Sequence, residues 1–76
     1  MLCKLKLYEE AIASHDRALE INPDDHFAWY SRGNALSEMG QLEEAIAAYD
    51  RAILISPKET QARHSRVLAL RRLGFD

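Results

Sequence analysis

Several residue types are scarce in this 76-residue sequence, and each scarcity excludes a class of protein. With one cysteine, Cys3, no internal disulfide can form, so we expect a cytoplasmic protein and interpret Cys3 as a small apolar packing residue. The 3 glycines and 2 prolines are too few for a linker or a disordered segment. No stretch free of charged residues exceeds six, whereas a membrane span requires roughly 18 apolar residues. We therefore expect neither a membrane segment nor a signal peptide.

Motifs that carry chemistry are missing as well. The three histidines, His15, His26 and His64, lack metal-ligand spacing, because no histidine or cysteine lies three or four residues from another. Ser14, His15 and Asp16 are consecutive, and consecutive residues of a helix do not face each other, which excludes a catalytic triad. The glycines are too widely spaced for a phosphate-binding loop. We expect no metal, no cofactor and no enzymatic activity.

Charge is distributed unevenly along the chain. The formal net charge is −2, but residues 1–57 carry −5 and residues 58–76 carry +3. The basic end has no interleaved aromatic residues of the kind that nucleic-acid-binding faces use, so we expect no nucleic-acid binding. The acidic first part and the basic end are complementary in sign, which favours pairing between copies over repulsion.

An internal repeat with a period of 34 residues runs through the sequence. Aligning residues 1–42 with residues 35–76 gives 17 identical pairs, whereas unrelated sequences of ordinary composition agree at roughly one position in fifteen. The longest identical block is Glu9–Ala13 against Glu43–Ala47. Repetition at this period indicates an array of stacked supersecondary units.

Each unit has the apolar spacing of an amphipathic helix. Positions i, i+3, i+4 and i+7 are occupied in the first copy and again 34 residues later, by Tyr8, Ala11, Ile12, His15, Ala18 and Leu19, and by Leu42, Ala45, Ile46, Tyr49, Ala52 and Ile53. His15 occupies the position of Tyr49, which predicts a buried or half-buried histidine. A second stripe lies between these segments and contains Trp29, Gly33, Leu36 and Met39.

Helix boundaries are marked by proline, glycine and acidic residues. Pro23 and Pro57 cannot continue a helix, and Gly40 and Gly74 suit the left-handed conformation that closes one. The pair Asp24-Asp25 stands where it can cap the next helix. The sequence predicts a short stub over residues 1–5. Four helices follow it, over residues 7–21, 25–39, 42–55 and 59–73, and no strand is predicted. Connections this short make neighbouring helices antiparallel.

These residues resemble the tetratricopeptide repeat family, whose signature is W-x₂-L-G-x₂-Y, then A-x₃-F, then P. The chain has Trp29, Gly33, Ala45 and Pro57 at signature positions, with Tyr49 in place of the phenylalanine. It departs from the signature at Arg32 and Leu36.

The resemblance implies an all-α fold in which antiparallel helix-turn-helix repeats stack as a right-handed superhelix, or solenoid. We expect a single domain over residues 1–76 that contains a half repeat (1–23), a full repeat (24–57) and a half repeat (58–76). Gly33 and Ala45 leave room for two helices to approach closely, and Trp29 and Leu36 should be buried between helices. Arg63 stands at the position of Trp29, and Val67 at that of Gly33, so the last helix is degenerate or terminal.

In the family, the first helix of each pair lines a concave surface that holds a protein or peptide. The resemblance therefore implies a scaffold that binds a peptide or protein segment through the groove-facing residues Phe27, Tyr30, Ser31, Asn34, Gln61, His64, Leu68 and Arg71. Tyr30 could instead pack on the adjacent helix, and Asn34 could be solvated or bonded between helices. We interpret Arg72 as a cation that interacts favourably with the negative C-terminal end of its own helix dipole. Some members of the family bind a C-terminal carboxylate with lysine, asparagine and arginine side chains. Such a clamp is not expected here, since only Asn34 matches one of these residues.

Apolar stripes at the two ends lack covering helices. They comprise Leu7, Ile12 and Leu19 on the first helix, and Val67, Leu70 and Leu73 on the last. Exposed stripes mark association surfaces, so we expect a homo-oligomer in which one chain completes the repeat of another. The alternatives are a structural spacer within a larger multi-repeat protein, and a marginal monomer whose missing helices belong to a longer chain.

Overall fold

The computed structural model describes residues 4–58 and 60–74. Within these ranges the chain forms four α-helices and no strand: α1 (Lys4–Ile21), α2 (His26–Glu38), α3 (Leu42–Ile55) and α4 (Thr60–Leu73). The predicted all-α fold is confirmed, and three of the four helices begin within one residue of the predicted start. Cys3 lies outside the described residues.

The prediction for the start of α1 is wrong, because this helix begins at Lys4, inside the segment predicted to be a stub. The turn before α3 contains Gly40, and the position 34 residues earlier is Lys6. A glycine at that position would favour the left-handed conformation that closes a helix, whereas lysine is a good helix former. The helix therefore continues through the place where a turn stands in the next unit.

Helix ends follow the predicted signals. Asp25 is the N-cap of α2, and its Oδ1 accepts hydrogen bonds from Phe27 N at 3.1 Å and Ala28 N at 3.2 Å. Gly40 has φ +85° just after α2, and Gly74 has φ +99° just after α4. These are left-handed conformations that a side chain disfavours, which explains why glycine occupies both positions.

The four helices pack in series. α2 contacts α1 and α3, while α4 contacts α3 and reaches α2. The result is a slab of 38 × 34 × 15 Å, one layer of helix pairs thick, which fits a helical solenoid. One cluster of the buried core lies on the last three helices and consists of Leu36, Ala45, Ala48, Tyr49 and Ala69, and Ile12 of α1 packs against it.

Two residues of the predicted apolar stripes differ from the prediction in their burial. Leu19 was expected on an open apolar stripe, but it is buried because α1 turns this residue towards the rest of the fold. Trp29 was expected to be buried, but it is half-buried. Its ring packs at the edge of the core, where the indole Nε1 donates to the Pro23 carbonyl oxygen at 3.0 Å and the Arg51 guanidinium lies 5.4 Å from the ring centroid.

Gly33 of α2 lies directly against the Tyr49 side chain of α3. A Cβ atom added at this position would lie 2.6 Å from Cε1 and 2.7 Å from Cδ1 of Tyr49. The Tyr49 ring is only 2% exposed and fills the space that the missing side chain leaves. The expected close packing at Gly33 is therefore present, with Tyr49 as the group that uses it.

Two ion pairs repeat with the 34-residue period. Arg32 Nε donates to Asp16 Oδ1 at 2.7 Å across α1 and α2, and Arg66 Nε donates to Asp50 Oδ1 across α3 and α4. The signature leucine is replaced by Arg32 because this residue bonds the preceding helix rather than the core. Both pairs are at least partly exposed to solvent, so each contributes at most about 1 kcal/mol. They join equivalent helices, since one links α1 to α2 and the other links α3 to α4.

Gly33→Leu is expected to abolish the cooperative thermal transition, because the new side chain would overlap a buried aromatic ring. Overpacking typically costs about 1–3 kcal/mol, and about 1 kcal/mol lowers Tm by roughly 4–8 °C in a domain of this size. Ala47→Leu, at an exposed position of α3, is the matched control and should leave Tm nearly unchanged. Thermal melts followed by circular dichroism measure both, and equal Tm values would contradict the close packing at Gly33.

Candidate functional site

A groove of about 370 Å³ lies between α2 and α4, with α3 as its floor. Most of its lining residues lie in the C-terminal halves of α2 and α4. Its walls combine polar, charged and apolar groups, namely Asn34, Ser37 and Glu38 from α2, Tyr49 from α3, and Ser65, Leu68, Arg71 and Arg72 from α4. This is the side on which the two first-type helices of successive repeats meet.

The floor of the groove is a hydrogen bond between helices. Tyr49 Oη donates to Asn34 Oδ1 at 2.6 Å, and Asn34 is half-buried. Asn34 thus forms the interhelix hydrogen bond that was one of its two predicted roles, and it also lines the groove. The same tyrosine passes Gly33 with its ring and reaches the groove with its hydroxyl.

Burial raises the pKa of the Tyr49 phenol above its ordinary value of about 10. Hydrogen bonding with the hydroxyl groups of Ser65 and Ser37 lowers this pKa in part, and neighbouring Tyr30 raises it further. The phenol is therefore a neutral hydrogen-bond donor at physiological pH. A neutral donor on the groove floor keeps Asn34 oriented without adding charge.

Arg72 joins α4 to the end of α2. Its Nη1 donates to the Ser37 carbonyl oxygen at 3.2 Å and to Ser37 Oγ at 3.1 Å. Arg72 lies in the last turn of α4, where the interpretation of a cation near the dipole of its own helix places it, and its guanidinium also bonds the last turn of α2. A cation at that position satisfies a C-terminal carbonyl of the neighbouring helix.

Leu68 and Arg71 are exposed groups of the α4 wall, as is Arg72. Leu68 is 44% exposed, which is high for a leucine beside a core. Arg71 is exposed and has no ion-pair partner within residues 4–58 and 60–74. The wall therefore offers an apolar contact next to a guanidinium that forms no ion pair with the part of the chain that the structure describes.

The structure brings together three of the eight predicted groove residues. Asn34, Leu68 and Arg71 line the groove. The other five lie on the N-terminal halves of α2 and α4, beyond its walls: Phe27, Tyr30, Ser31, Gln61 and His64.

Aromatic rings connect these N-terminal halves to the groove. The Phe27 and Tyr30 rings are 6.4 Å apart at 65°, and the Tyr30 and Tyr49 rings are 6.1 Å apart at 45°. Edge-on and tilted geometries of this kind are favourable for aromatic pairs. Phe27 is exposed, so the row of rings leads from solvent to the groove floor.

Five residues that line the groove are not among the eight predicted ones: Ser37, Glu38, Tyr49, Ser65 and Arg72. Helical spacing from Asn34 and Leu68 pointed to four of them, since they lie three or four residues away. Tyr49 matched a signature position and was interpreted only as a packing residue.

Two kinds of feature are absent from the part of the chain that the structure describes. In these residues no three His, Cys, Asp or Glu side chains come together in a way that could bind a metal ion. Among the described helices, none combines the length and the apolar character needed to cross a membrane. His15 is half-buried, as predicted.

Comparison with known families gives two matches. A family model described as tetratricopeptide repeat matches residues 26–59, which begin with α2 and include α3. A second, described as TPR repeat, matches residues 1–40. The predicted departures at Arg32 and Leu36 do not prevent either match. No curated protein matches the chain.

Asn34→Ala should lower Tm by only a few degrees. The substitution removes one hydrogen bond, typically worth about 1 kcal/mol, and the Tyr49 hydroxyl borders the groove, where water can replace the lost acceptor. A thermal melt compared with that of Gly33→Leu measures the difference. If Asn34→Ala were as damaging as Gly33→Leu, Asn34 would belong to the core rather than to the groove wall.

The free energy of unfolding should fall at alkaline pH because of Tyr49. The unfolded tyrosine loses its proton first, so stability is complete below pH about 10 and is lost as the pH rises through the raised pKa of the folded protein. Denaturant unfolding at a series of alkaline pH values should show a weaker decline for Tyr49→Phe than for the unsubstituted chain. Parallel curves for the two proteins would contradict a proton held by the folded state at Tyr49.

Proposed function

Because the chain belongs to the tetratricopeptide repeat family, we propose that it holds a peptide or protein segment in the groove between α2 and α4. Repeats of this family are generally protein-interaction modules and are typically non-catalytic. The specific proposal is that the ligand lies against the wall formed by Leu68 and Arg71. The single observation that carries it is the exposed apolar side chain of Leu68 beside a guanidinium that forms no ion pair within residues 4–58 and 60–74.

The groove chemistry suits a peptide better than a rigid small molecule. Leu68 offers apolar contact, while the hydroxyl groups of Ser37 and Ser65 and the amide of Asn34 can exchange hydrogen bonds with a peptide backbone. Arg71 can bind a carboxylate through two parallel hydrogen bonds. These groups favour a ligand with an apolar side chain close to an acidic one.

The aromatic row extends this surface towards the N-terminal ends of the helices. Phe27 and Tyr30 present ring faces and edges, and aromatic side chains contribute large contact areas at low entropic cost. Ser31, Gln61 and His64 would complete the longer surface. We propose that a ligand longer than the groove continues along this row.

Self-association is the second candidate function, and the exposed faces of α1 and α4 favour it. Leu7 on α1, and Val67 and Leu73 on α4, are exposed although they are large and apolar. Under this proposal the repeats serve mainly to build an assembly or to space other segments. Light scattering over a range of concentrations separates a self-associating chain from a monomer.

Selection of peptides from a displayed random library tests groove binding. Peptides enriched on the unsubstituted chain should lose binding to Leu68→Glu and keep binding to Leu54→Glu, which makes the same change at a 71% exposed position outside the groove. Arg71→Glu and Arg17→Glu form a second matched pair, since both arginines are exposed and only Arg71 lines the groove.

Equal loss of peptide binding in both members of each pair would contradict the groove proposal. Retention of binding by Leu68→Glu and Arg71→Glu would place the ligand on another surface. Circular dichroism of every variant should show unchanged helix content, because all four substituted residues are exposed.

A further inference from the structure

The groove and the aromatic row share one face of α2. Phe27, Tyr30 and Asn34 are spaced three and four residues apart, so they lie on the same side of this helix, and the Tyr49 ring joins Tyr30 to the groove floor. Phe27 on α2 and Leu68 on α4 are both exposed although they are large and apolar. A ligand on this surface therefore meets one accessible apolar group from each of the two helices.

The level of α4 beside α2 is fixed by their contacts. The C-terminal halves of both helices line the same groove, so the helices run in the same direction. The 34-residue period places Leu68 opposite Asn34 and Arg71 opposite Ser37. The bond from Arg72 Nη1 to the Ser37 carbonyl oxygen agrees with this register to within one residue.

Distances along the surface follow from this register. Phe27 precedes Asn34 by seven residues, and Leu68 lies opposite Asn34, so Phe27 and Leu68 are about 10 Å apart along the helix axes. Arg71 follows Leu68 by three residues, which adds about 4.5 Å, and the length of the arginine side chain extends its reach. The three groups thus stand in a fixed order along the surface: aromatic, aliphatic, cationic.

An extended segment suits this surface better than a helix. Polar groups of the groove, namely the hydroxyl groups of Ser37 and Ser65 and the Asn34 amide, are available to bond a peptide backbone. An extended segment offers its backbone N–H and C=O groups, whereas a helix has already bonded most of its own.

The alternation of an extended segment matches the two walls. Such a segment rises roughly 3.3 Å per residue, and its successive side chains point to opposite sides. Side chains three residues apart are therefore about 10 Å apart on opposite sides, as Phe27 on α2 and Leu68 on α4 require. Side chains two residues apart are about 6.6 Å apart on the same side, as Leu68 and Arg71 on α4 require.

Positive charge lies at the end of the surface where α2 and α4 terminate. Arg71 and Arg72 line this end, and Arg72 keeps its charge because the group that it bonds is a neutral carbonyl. Glu38 is the acidic residue of the groove lining, and its Oε2 accepts a long hydrogen bond from Tyr8 Oη at 3.5 Å. Since Glu38 stands on α2, a ligand carboxylate is favoured at the α4 wall and disfavoured at the α2 wall.

We infer that the groove binds an extended peptide segment in which an aromatic residue is separated by three positions from an aliphatic residue, and the aliphatic residue by two positions from an acidic one. The aromatic residue packs on Phe27, the aliphatic residue on Leu68, and the acidic residue bonds Arg71. The same spacing serves either direction of the ligand chain. This inference rests on the proposed groove binding and adds the conformation and the spacing of the ligand.

Peptides of equal composition test the spacing. The cores FSSLSD and DSLSSF, each flanked by serines and blocked at both ends, are compared with versions in which the phenylalanine is moved by one position. A further peptide places phenylalanine and leucine seven positions apart, the spacing of a helical ligand. Isothermal titration calorimetry should show that one of the two first cores binds roughly tenfold more tightly than the rest, because a displaced phenylalanine leaves the Phe27 ring uncovered.

Tightest binding by FSSLSD or DSLSSF, lost in Leu68→Glu, supports the inference. Tightest binding by a displaced or a seven-residue spacing, or equal binding by all peptides, overturns it, and loss of that binding in Leu68→Glu leaves the groove proposal standing. Weak binding by all of them also overturns it if library-selected peptides bind and depend on Leu68. If no peptide, designed or selected, depends on Leu68, the groove proposal fails together with this inference.

Exchange of charge tests where the acidic residue lies. Lysine in place of the peptide aspartate should weaken binding to the unsubstituted chain, and Arg71→Glu should restore it. Arg17→Glu makes the same change outside the groove and should not restore it. Glu38→Gln keeps an oxygen acceptor for Tyr8 and should tighten binding of the aspartate peptide by roughly two- to five-fold, the range for exposed charge pairs.

Restoration by Arg17→Glu, or none by Arg71→Glu, would overturn the contact between the acidic residue and Arg71. Weaker binding of the aspartate peptide to Glu38→Gln would overturn its place on the α4 wall. Circular dichroism should show unchanged helix content in these three variants, because Arg17, Glu38 and Arg71 are exposed.

Discussion

The contact between Gly33 and the Tyr49 ring determines how α2 and α3 are placed. Since glycine has no Cβ, the two helices can approach until the ring fills the space beside the α2 backbone. The phenol then extends past the core and ends at Asn34 in the groove. One residue thus sets both the packing distance between two helices and the depth of the surface above them. A substitution of Asn34 therefore also removes the hydrogen-bond acceptor of a buried core tyrosine.

The other contacts between helices depend on this placement and are polar. The ion pairs of Asp16 with Arg32 and of Asp50 with Arg66 hold successive pairs of helices at the same offset. Arg72 bonds the end of α2, so α4 is tied to α2 as well as to α3. Each of these contacts is exposed and contributes little free energy alone. Their effect is to select one arrangement of helices that the small apolar core would otherwise specify loosely.

Much of the fold was predictable because its signals are local. Proline, glycine and acidic caps act within a few residues of their position, so the ends of α2 and the turn at Gly40 followed from the sequence. The start of α1 did not, because it depended on the absence of a glycine where Lys6 stands. Of the site, Asn34, Leu68 and Arg71 were predictable from the family resemblance together with helical spacing. The bond from Arg72 to Ser37 was not, since it joins residues 35 positions apart and depends on the relative placement of two helices.

The slab is 15 Å thin, which limits how far a disturbance at one end can spread. The five buried residues of the core cluster lie on α2, α3 and α4, and α1 adds the half-buried Ile12 at its edge. Detachment of α1 would therefore leave the cluster largely covered, whereas opening of α3 would expose all of it. Amide protons should accordingly exchange with solvent in a graded order, fastest in α1 and slowest in α3, because each helix is protected mainly by its immediate neighbours. The chain then has a directional hierarchy of local stability, in which α1 can open while the groove keeps its shape.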